Sequence, residues 1–129
     1  MSKSKPNAVK TYFLAYLKPA VWAVFIFLLS SQEVLPGFSI SFYDFVFKKL
    51  AHMFVYAVLY LLLFQAYQQT NGKKIDKKSY LFPLLISLLY AITDELHQGT
   101  VPGRHPTLKD IGFDAIGVAT ALLYQLKLI

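Results

Sequence analysis

Apolar residues fall into four long stretches, at 19–35, 45–67, 80–98 and 107–126, and the polar residues among them recur at helical spacing. Each stretch reaches or exceeds the ~17 residues that a helix needs to cross a bilayer. The pattern therefore predicts an all-α membrane protein built as a four-transmembrane-helix bundle. Residues 11–17 alternate aromatic and aliphatic side chains between Lys10 and Lys18, a segment suited either to the headgroup region or to lengthening the first span. Pro19 fits the first turn of a helix and Trp22 an interfacial anchor. Thr107-Leu108-Lys109-Asp110 reads as a capping box ahead of the fourth span, and Gly99 as the stop of the third. The expected organisation is a basic N-terminal tail or interfacial segment over residues 1–18 and one transmembrane domain over 19–129.

Composition supports the class. Of the 129 residues, 56% are hydrophobic and only 16% charged, against about a quarter charged in soluble domains. The mean hydropathy is +0.46. There is no cysteine, which excludes disulfides and thiolate chemistry. The basic N-terminus is not followed by a small-residue cleavage site, so the first apolar stretch is expected to be an uncleaved anchor.

The net charge of +6 does not point to nucleic acid, because loop charge explains it. Lys3, Lys5, Lys10 and Lys18 precede the first span, Lys73, Lys74, Lys77 and Lys78 crowd the connection between the second and third, and Lys127 follows the fourth. With four spans all three regions share one side, which the positive-inside rule makes cytoplasmic, together with both termini. The acids are as one-sided. Only Asp76 falls in the basic connection, whereas Glu33, Asp44, Asp94, Glu95, Asp110 and Asp114 lie at or near the opposite ends. A candidate site therefore faces outward.

Three helices carry a polar stripe at that depth: Lys49, His52 and Tyr56; Tyr90, Asp94 and His97, with Gln98; and Asp110, Asp114 and Gly117. An acid turned to lipid would cost several kcal/mol, so the stripes are expected to turn inward, with Gly112 and Gly117 allowing close helix approach. His52 could serve as a general base, a metal ligand or a packed partner of Asp94 or Asp114. Asp94 and His97 have the i, i+3 spacing of metal-binding helices, which equally suits a local carboxylate–imidazole bond. Asp114, a turn deeper than the capping position of Asp110, is the stronger functional candidate.

Catalytic candidates are thus His52, Asp94, His97 and Asp114, and the same four could bind a divalent metal such as zinc or manganese. Arg104 could grip an anionic group through its guanidinium fork, or neutralise the acid cluster. Glu95, Gln98, Tyr56 and Ser31 complete the candidate substrate-binding set. For Glu95 the alternatives are simple solvation or a basic loop partner. Ser30, Ser31 and Gln32 could line the same cavity or end the first helix. Tyr56 and Tyr90 equally suit packing positions with a hydrogen-bonding tip.

These residues resemble the VanZ-like family of bacterial membrane proteins. The resemblance lies in Phe27-Leu28-Leu29-Ser30-Ser31-Gln32, in Lys49-Leu50-Ala51-His52 with Tyr56, and in Asp94-Glu95-Leu96-His97-Gln98 followed by Val101-Pro102-Gly103-Arg104, Asp110, Asp114 and Gly117. His105-Pro106 departs from the small polar residues more usual after that arginine. The resemblance implies a multi-pass protein of the bacterial cell membrane and a link to resistance against the glycopeptide teicoplanin. Two functions fit: an outer-leaflet enzyme of hydrolase or transferase type acting on an envelope lipid, or a non-catalytic binding or shielding protein that alters glycopeptide access. The lipid bilayer is the expected partner, with an envelope lipid or glycopeptide as ligand. A proton-coupled transporter fits poorly, since no inverted repeat is visible and the cytoplasmic half has no matching polar site.

Overall fold

The computed structural model describes residues 7–31, 41–102 and 108–129. Gln32, Glu33, Gly103, Arg104, His105, Pro106 and Thr107 lie outside the described residues, and with them the expected arginine contact and the threonine cap of the fourth span. Four helices follow in order: α1 (Ala8–Ser30), α2 (Ser41–Thr70), α3 (Lys77–Gln98) and α4 (Leu108–Gln125).

The first departure from expectation is α1. It begins at Ala8, where Asn7 caps it through a bond from the Val9 N–H, and it continues through Pro19 without a break. Pro19 thus lies inside the helix rather than in its first turn. Its ring removes the N–H that would otherwise bond to the Ala15 carbonyl, and it is buried against the neighbouring helices.

Three helices, α1, α2 and α3, are long and apolar enough to cross a membrane. At 18 residues α4 is the shortest, and it carries Lys109, Asp110 and Asp114. Length and composition alone therefore support three spans, and the bundle is a multi-pass membrane protein on that basis.

The exterior is strongly apolar. Leu81, Leu85, Leu89, Ile92 and Leu96 are exposed along α3, as are Leu14, Val21, Val24 and Leu28 on α1. The interior mixes aromatic, small and polar groups. Tyr56, Tyr60, Ala91 and Val118 are fully buried beside Ser79, Ser87 and Asp114. Such an arrangement suits a hydrocarbon surround, where exposed leucine carries no penalty and polar groups need protein partners.

The central element is α2. It packs against all three other helices, α3 also packs on α4, and the backbones of α1 and α3 come close at few points, their contact being made mostly by side chains; among the described residues α1 and α4 do not approach each other. Small residues set these approaches. A Cβ built on Gly117 would lie 2.8 Å from the Met53 Cα, so α4 crosses α2 at backbone contact there. Gly112 has nothing within 4 Å of the same position and takes no part in the approach expected of it. On α3 the buried face is Ser79, Pro83, Ser87 and Ala91, a run of small side chains at i+4 spacing that brings α3 close to its neighbours.

Trp22, expected as an interfacial anchor, makes a specific contact between helices. It sits well inside α1 and its indole N–H donates to the Val55 carbonyl of α2 at 2.8 Å, tying the first two helices together. The α2–α3 connection turns through Gly72 and Lys73, both with positive φ, and ends in a reciprocal capping box between Asp76 and Ser79. At the other end of α3, Gly99 stops the helix in the right-handed region at φ −62, without using the left-handed freedom of glycine.

Candidate functional site

The C-terminal ends of α1 and α3 meet the N-terminal halves of α2 and α4 at one end of the bundle. The stripe on α2 finds a different acid at each step. Lys49 bonds to Asp110 of α4, His52 Nδ1 lies 2.8 Å from Asp114 Oδ1 of α4, and the Tyr56 hydroxyl donates to Asp94 Oδ2 of α3 at 3.1 Å. Residues three and four apart on one helix face produce this ladder directly. Lys49 also lies over the rings of Phe45 and Phe113, at 5.2 and 5.3 Å from their centroids, which places a cation between two aromatic faces.

Asp94 is the focus of a second cluster. Besides Tyr56, Ser30 of α1 donates to its Oδ1, and the Gln98 amide approaches its Oδ2 at 3.4 Å and the Ser30 hydroxyl at the same distance. Three donating groups from three helices therefore surround one buried carboxylate, which suits an acceptor-only group. Asp94, Gln98 and Ser30 are all nearly inaccessible. The bond from α1 comes from Ser30, whereas the Ser31 hydroxyl turns back to the Phe27 carbonyl of its own helix at 2.8 Å.

Asp114 is fully buried. Its Oδ1 carries the bond to His52, while Oδ2 is buried without a hydrogen-bond partner among the described residues. Glu95 is buried too, at 6% exposure, so the solvated position considered for it does not hold. Tyr90 behaves as a packing residue with a polar tip: its hydroxyl donates to the Ala23 carbonyl of α1.

His97 goes elsewhere. Its ring stacks on Phe27 of α1, with centroids 4.4 Å apart and planes at 27°, and its Nδ1 has no hydrogen-bond partner among the described residues. The local bond to Asp94 that the i, i+3 spacing allowed is not made. Among the described residues no three histidine, aspartate or glutamate side chains gather so as to hold a metal ion. His52, Asp94, His97 and Asp114 form one imidazole–carboxylate pair, one carboxylate saturated by other donors and one stacked ring.

Beside these clusters lies a cavity of about 210 Å³ between α1, α2 and α3. Ser30, Lys48, His52, Tyr56, Asp94 and Gln98 border it together with Ile26 and Val55, but carbon makes up nearly all of its surface. Lys48 at its edge pairs with Asp44 at 2.9 Å, one turn earlier on α2. With Nδ1 of His52 tied to Asp114, Nε2 is the ring nitrogen left to act on a ligand. Pairing to a buried carboxylate fixes the tautomer and ring orientation of an imidazole.

Together these elements define a helical, multi-pass membrane protein whose buried polar groups converge at one end of the bundle. Residues 12–128 match the profile of the VanZ/LLP1 family, and the chain belongs to that family. Searches of curated proteins and of solved structures each found no match.

Proposed function

We propose that this VanZ/LLP1 protein holds a membrane-embedded acid–base site, facing outward, that acts on an amphiphilic component of the bacterial cell envelope with hydrolase- or transferase-like chemistry. The observation that carries the reading is the His52–Asp114 pair at 2.8 Å beside a cavity that His52 itself lines. A base oriented by a buried carboxylate is the recurring way to activate water or a hydroxyl for attack. In this reading His52 Nε2 takes the proton of the attacking hydroxyl and returns it to the leaving group, and Asp114 stabilises the intervening imidazolium. Asp94 acts through the hydroxyls it organises, holding Ser30 and Tyr56 in place along the cavity. Arg104, in the connection after α3, is assigned the anion contact. His97 has a positioning role at most, through its stack on Phe27.

The outward direction rests on the lysines. The α2–α3 connection, rich in lysine at 73, 74, 77 and 78, lies at the end of the bundle opposite the site, and basic connections stay cytoplasmic. This assignment places both termini inside and makes α4 a fourth, short span.

A second reading, a non-catalytic protein that binds or shields and so changes glycopeptide access, is favoured by the saturation of Asp94 with protein donors. One experiment separates the two. Cells carrying the wild-type chain, His52→Gln, Asp114→Asn or Ala51→Trp at matched membrane abundance are compared for teicoplanin susceptibility and for the mass profile of their envelope lipids. The acid–base reading expects His52→Gln and Asp114→Asn to abolish both differences from an empty control. Full resistance in those two variants, with loss only in the cavity-blocking Ala51→Trp, sinks it in favour of binding.

A further inference from the structure

The α2–α3 connection, at the end of the bundle away from the acid cluster, divides its polar groups into two sets. The first set holds the turn. The Lys73 N–H donates to the Gln68 carbonyl at 2.8 Å, a helix stop that uses the positive φ of Gly72 and Lys73. The Asp76 carboxylate accepts from the Ser79 N–H at 3.0 Å and from its hydroxyl at 3.1 Å. Between these two caps the Lys74 carbonyl lies 3.4 Å from Asn71 Nδ2 and 3.3 Å from the Ser79 hydroxyl. The second set faces outward: Lys73, Lys74, Lys77 and Lys78 are all exposed. Ile75 stands in the middle of them, at 55% exposure.

These lysines differ from those at the other end. There Lys48 pairs with Asp44 and Lys49 with Asp110. Among the described residues no carboxylate lies within ion-pair distance of the four lysines of the connection, and the one acid among them, Asp76, is committed to its cap. The depth of the turn is set by α3. Leu81, the first exposed leucine of that helix, follows Lys77 by one turn, ~6 Å of rise. The ammonium groups therefore sit in the headgroup layer, well inside the ~10 Å over which charge acts at 0.1 M salt.

We infer that the turn from Lys73 to Lys78 is a docking surface for anionic phospholipid. The ammonium groups take headgroup phosphates, and Ile75 enters the boundary between headgroups and acyl chains. The inference stands apart from the acid–base reading and needs none of its residues. Lysine count alone would satisfy a topology signal. The structure adds a turn ordered by its own backbone and capping bonds, so that little side-chain-independent ordering is left to lose on binding. A soluble polyanion would leave Ile75 in water and gain nothing from the nearness of Leu81.

The test uses purified full-length chain in phosphatidylcholine bilayers with identical leaflets, so that orientation does not enter. Leu81→Trp in a Trp22→Phe background places one indole beside the turn, and brominated phosphatidylglycerol or brominated phosphatidylcholine is the quencher. Phosphatidylglycerol should be preferred at least about fivefold, the share of one lysine near an anionic surface, equivalent to ~1 kcal/mol. Lys77→Gln with Lys78→Gln should reduce the preference, and adding Lys73→Gln and Lys74→Gln should abolish it. Leu96→Trp, at the far end of α3, should show none. Ile75→Trp should be quenched by both lipids.

Equal quenching by the two lipids at Leu81→Trp overturns the inference, as does a preference that survives all four glutamines or is matched at Leu96→Trp. An unquenched Ile75→Trp overturns it as well, and if inorganic polyphosphate then shifts that emission saturably, the partner is a soluble polyanion instead.

Discussion

Gly117→Ala is the most informative single substitution, because it tests the packing and the imidazole pair together. The added Cβ would stand 2.8 Å from the Met53 Cα, and no flexible side-chain end is available to give way. The Met53 carbonyl oxygen is closer still than the Cα, so reaching the 3.4 Å of ordinary contact requires α4 to retreat from α2 by well over the 0.6 Å that the Cα alone demands. Asp114 is one turn away on the same helix face, and its bond to His52 is 2.8 Å. The same displacement takes that bond past the ~3.2 Å limit of normal N–H···O geometry. Overpacking of this kind costs about 1–3 kcal/mol. Gly112→Ala is the matched control: nothing lies within 4 Å of its new methyl, and replacing a mid-helix glycine stabilises by about 0.5–1 kcal/mol. Titration with a denaturing detergent, followed through Trp22 fluorescence, measures both. Gly117→Ala should unfold at lower denaturant and Gly112→Ala at equal or higher. Equal stability of the two variants, or an unshifted His52 ring resonance in Gly117→Ala, would refute the reasoning.

Other outcomes follow from individual contacts. Tyr56→Phe removes one of three donors to Asp94 and should lower stability by about 0.5–1.5 kcal/mol, whereas Asp94→Asn sets an amide against those donors and should cost about 1–3 kcal/mol; the same denaturation assay ranks them, and the reverse order would contradict the cluster. Lys49→Met should cost about 1.5–3 kcal/mol, as for a hydrogen bond to a charged group, and the double variant with Asp110→Asn should recover most of it in a double-mutant cycle. Trp22→Phe should lose about 0.5–1.5 kcal/mol with the bond to Val55, while an interfacial anchor would instead change the depth of α1 and leave stability intact. Because the chain has no cysteine, Lys74→Cys and Thr100→Cys are clean reporters: an impermeant maleimide added to intact cells should label only Thr100→Cys, and labelling of Lys74→Cys would reverse the orientation.

Periodicity carried much of this structure. Lys49, His52 and Tyr56 share a face by spacing alone, as do Asp110, Asp114 and Gly117, and the penalty for acids in lipid turns those faces inward without any tertiary knowledge. Spacing does not choose between near neighbours. Ser30 and Ser31 are 100° apart on the helix, and only the direction from which α3 arrives decides that Ser30 meets Asp94. His97 and Gln98 flank the line through Asp94 on either side, and the neighbouring Phe27 draws the imidazole into a stack. Gly112 and Gly117 look alike as letters, but only Gly117 falls where α2 crosses. Pro19 misled because its preference for first turns is a statistical one, while a membrane helix keeps a proline wherever packing covers the lost bond. The burial of Glu95 was unreadable for a similar reason: a quarter-turn from Asp94 points to solvent on a lone helix, but to a neighbour once α4 is packed against α3.

The position of α2 at the centre has a consequence for how the protein is made. Its stripe enters the membrane early, yet the partners arrive late: Asp94 lies 38 residues after Tyr56, and Asp114 lies 62 after His52. While α3 and α4 are still being synthesised, α2 holds an ammonium, an imidazole and a phenol with no acid to meet them. The emerging helix must therefore keep that face in water or against the insertion machinery until the last helix is released. A chain that stops before α4 lacks Asp110 and Asp114, and so leaves Lys49 and His52 without these two carboxylate partners.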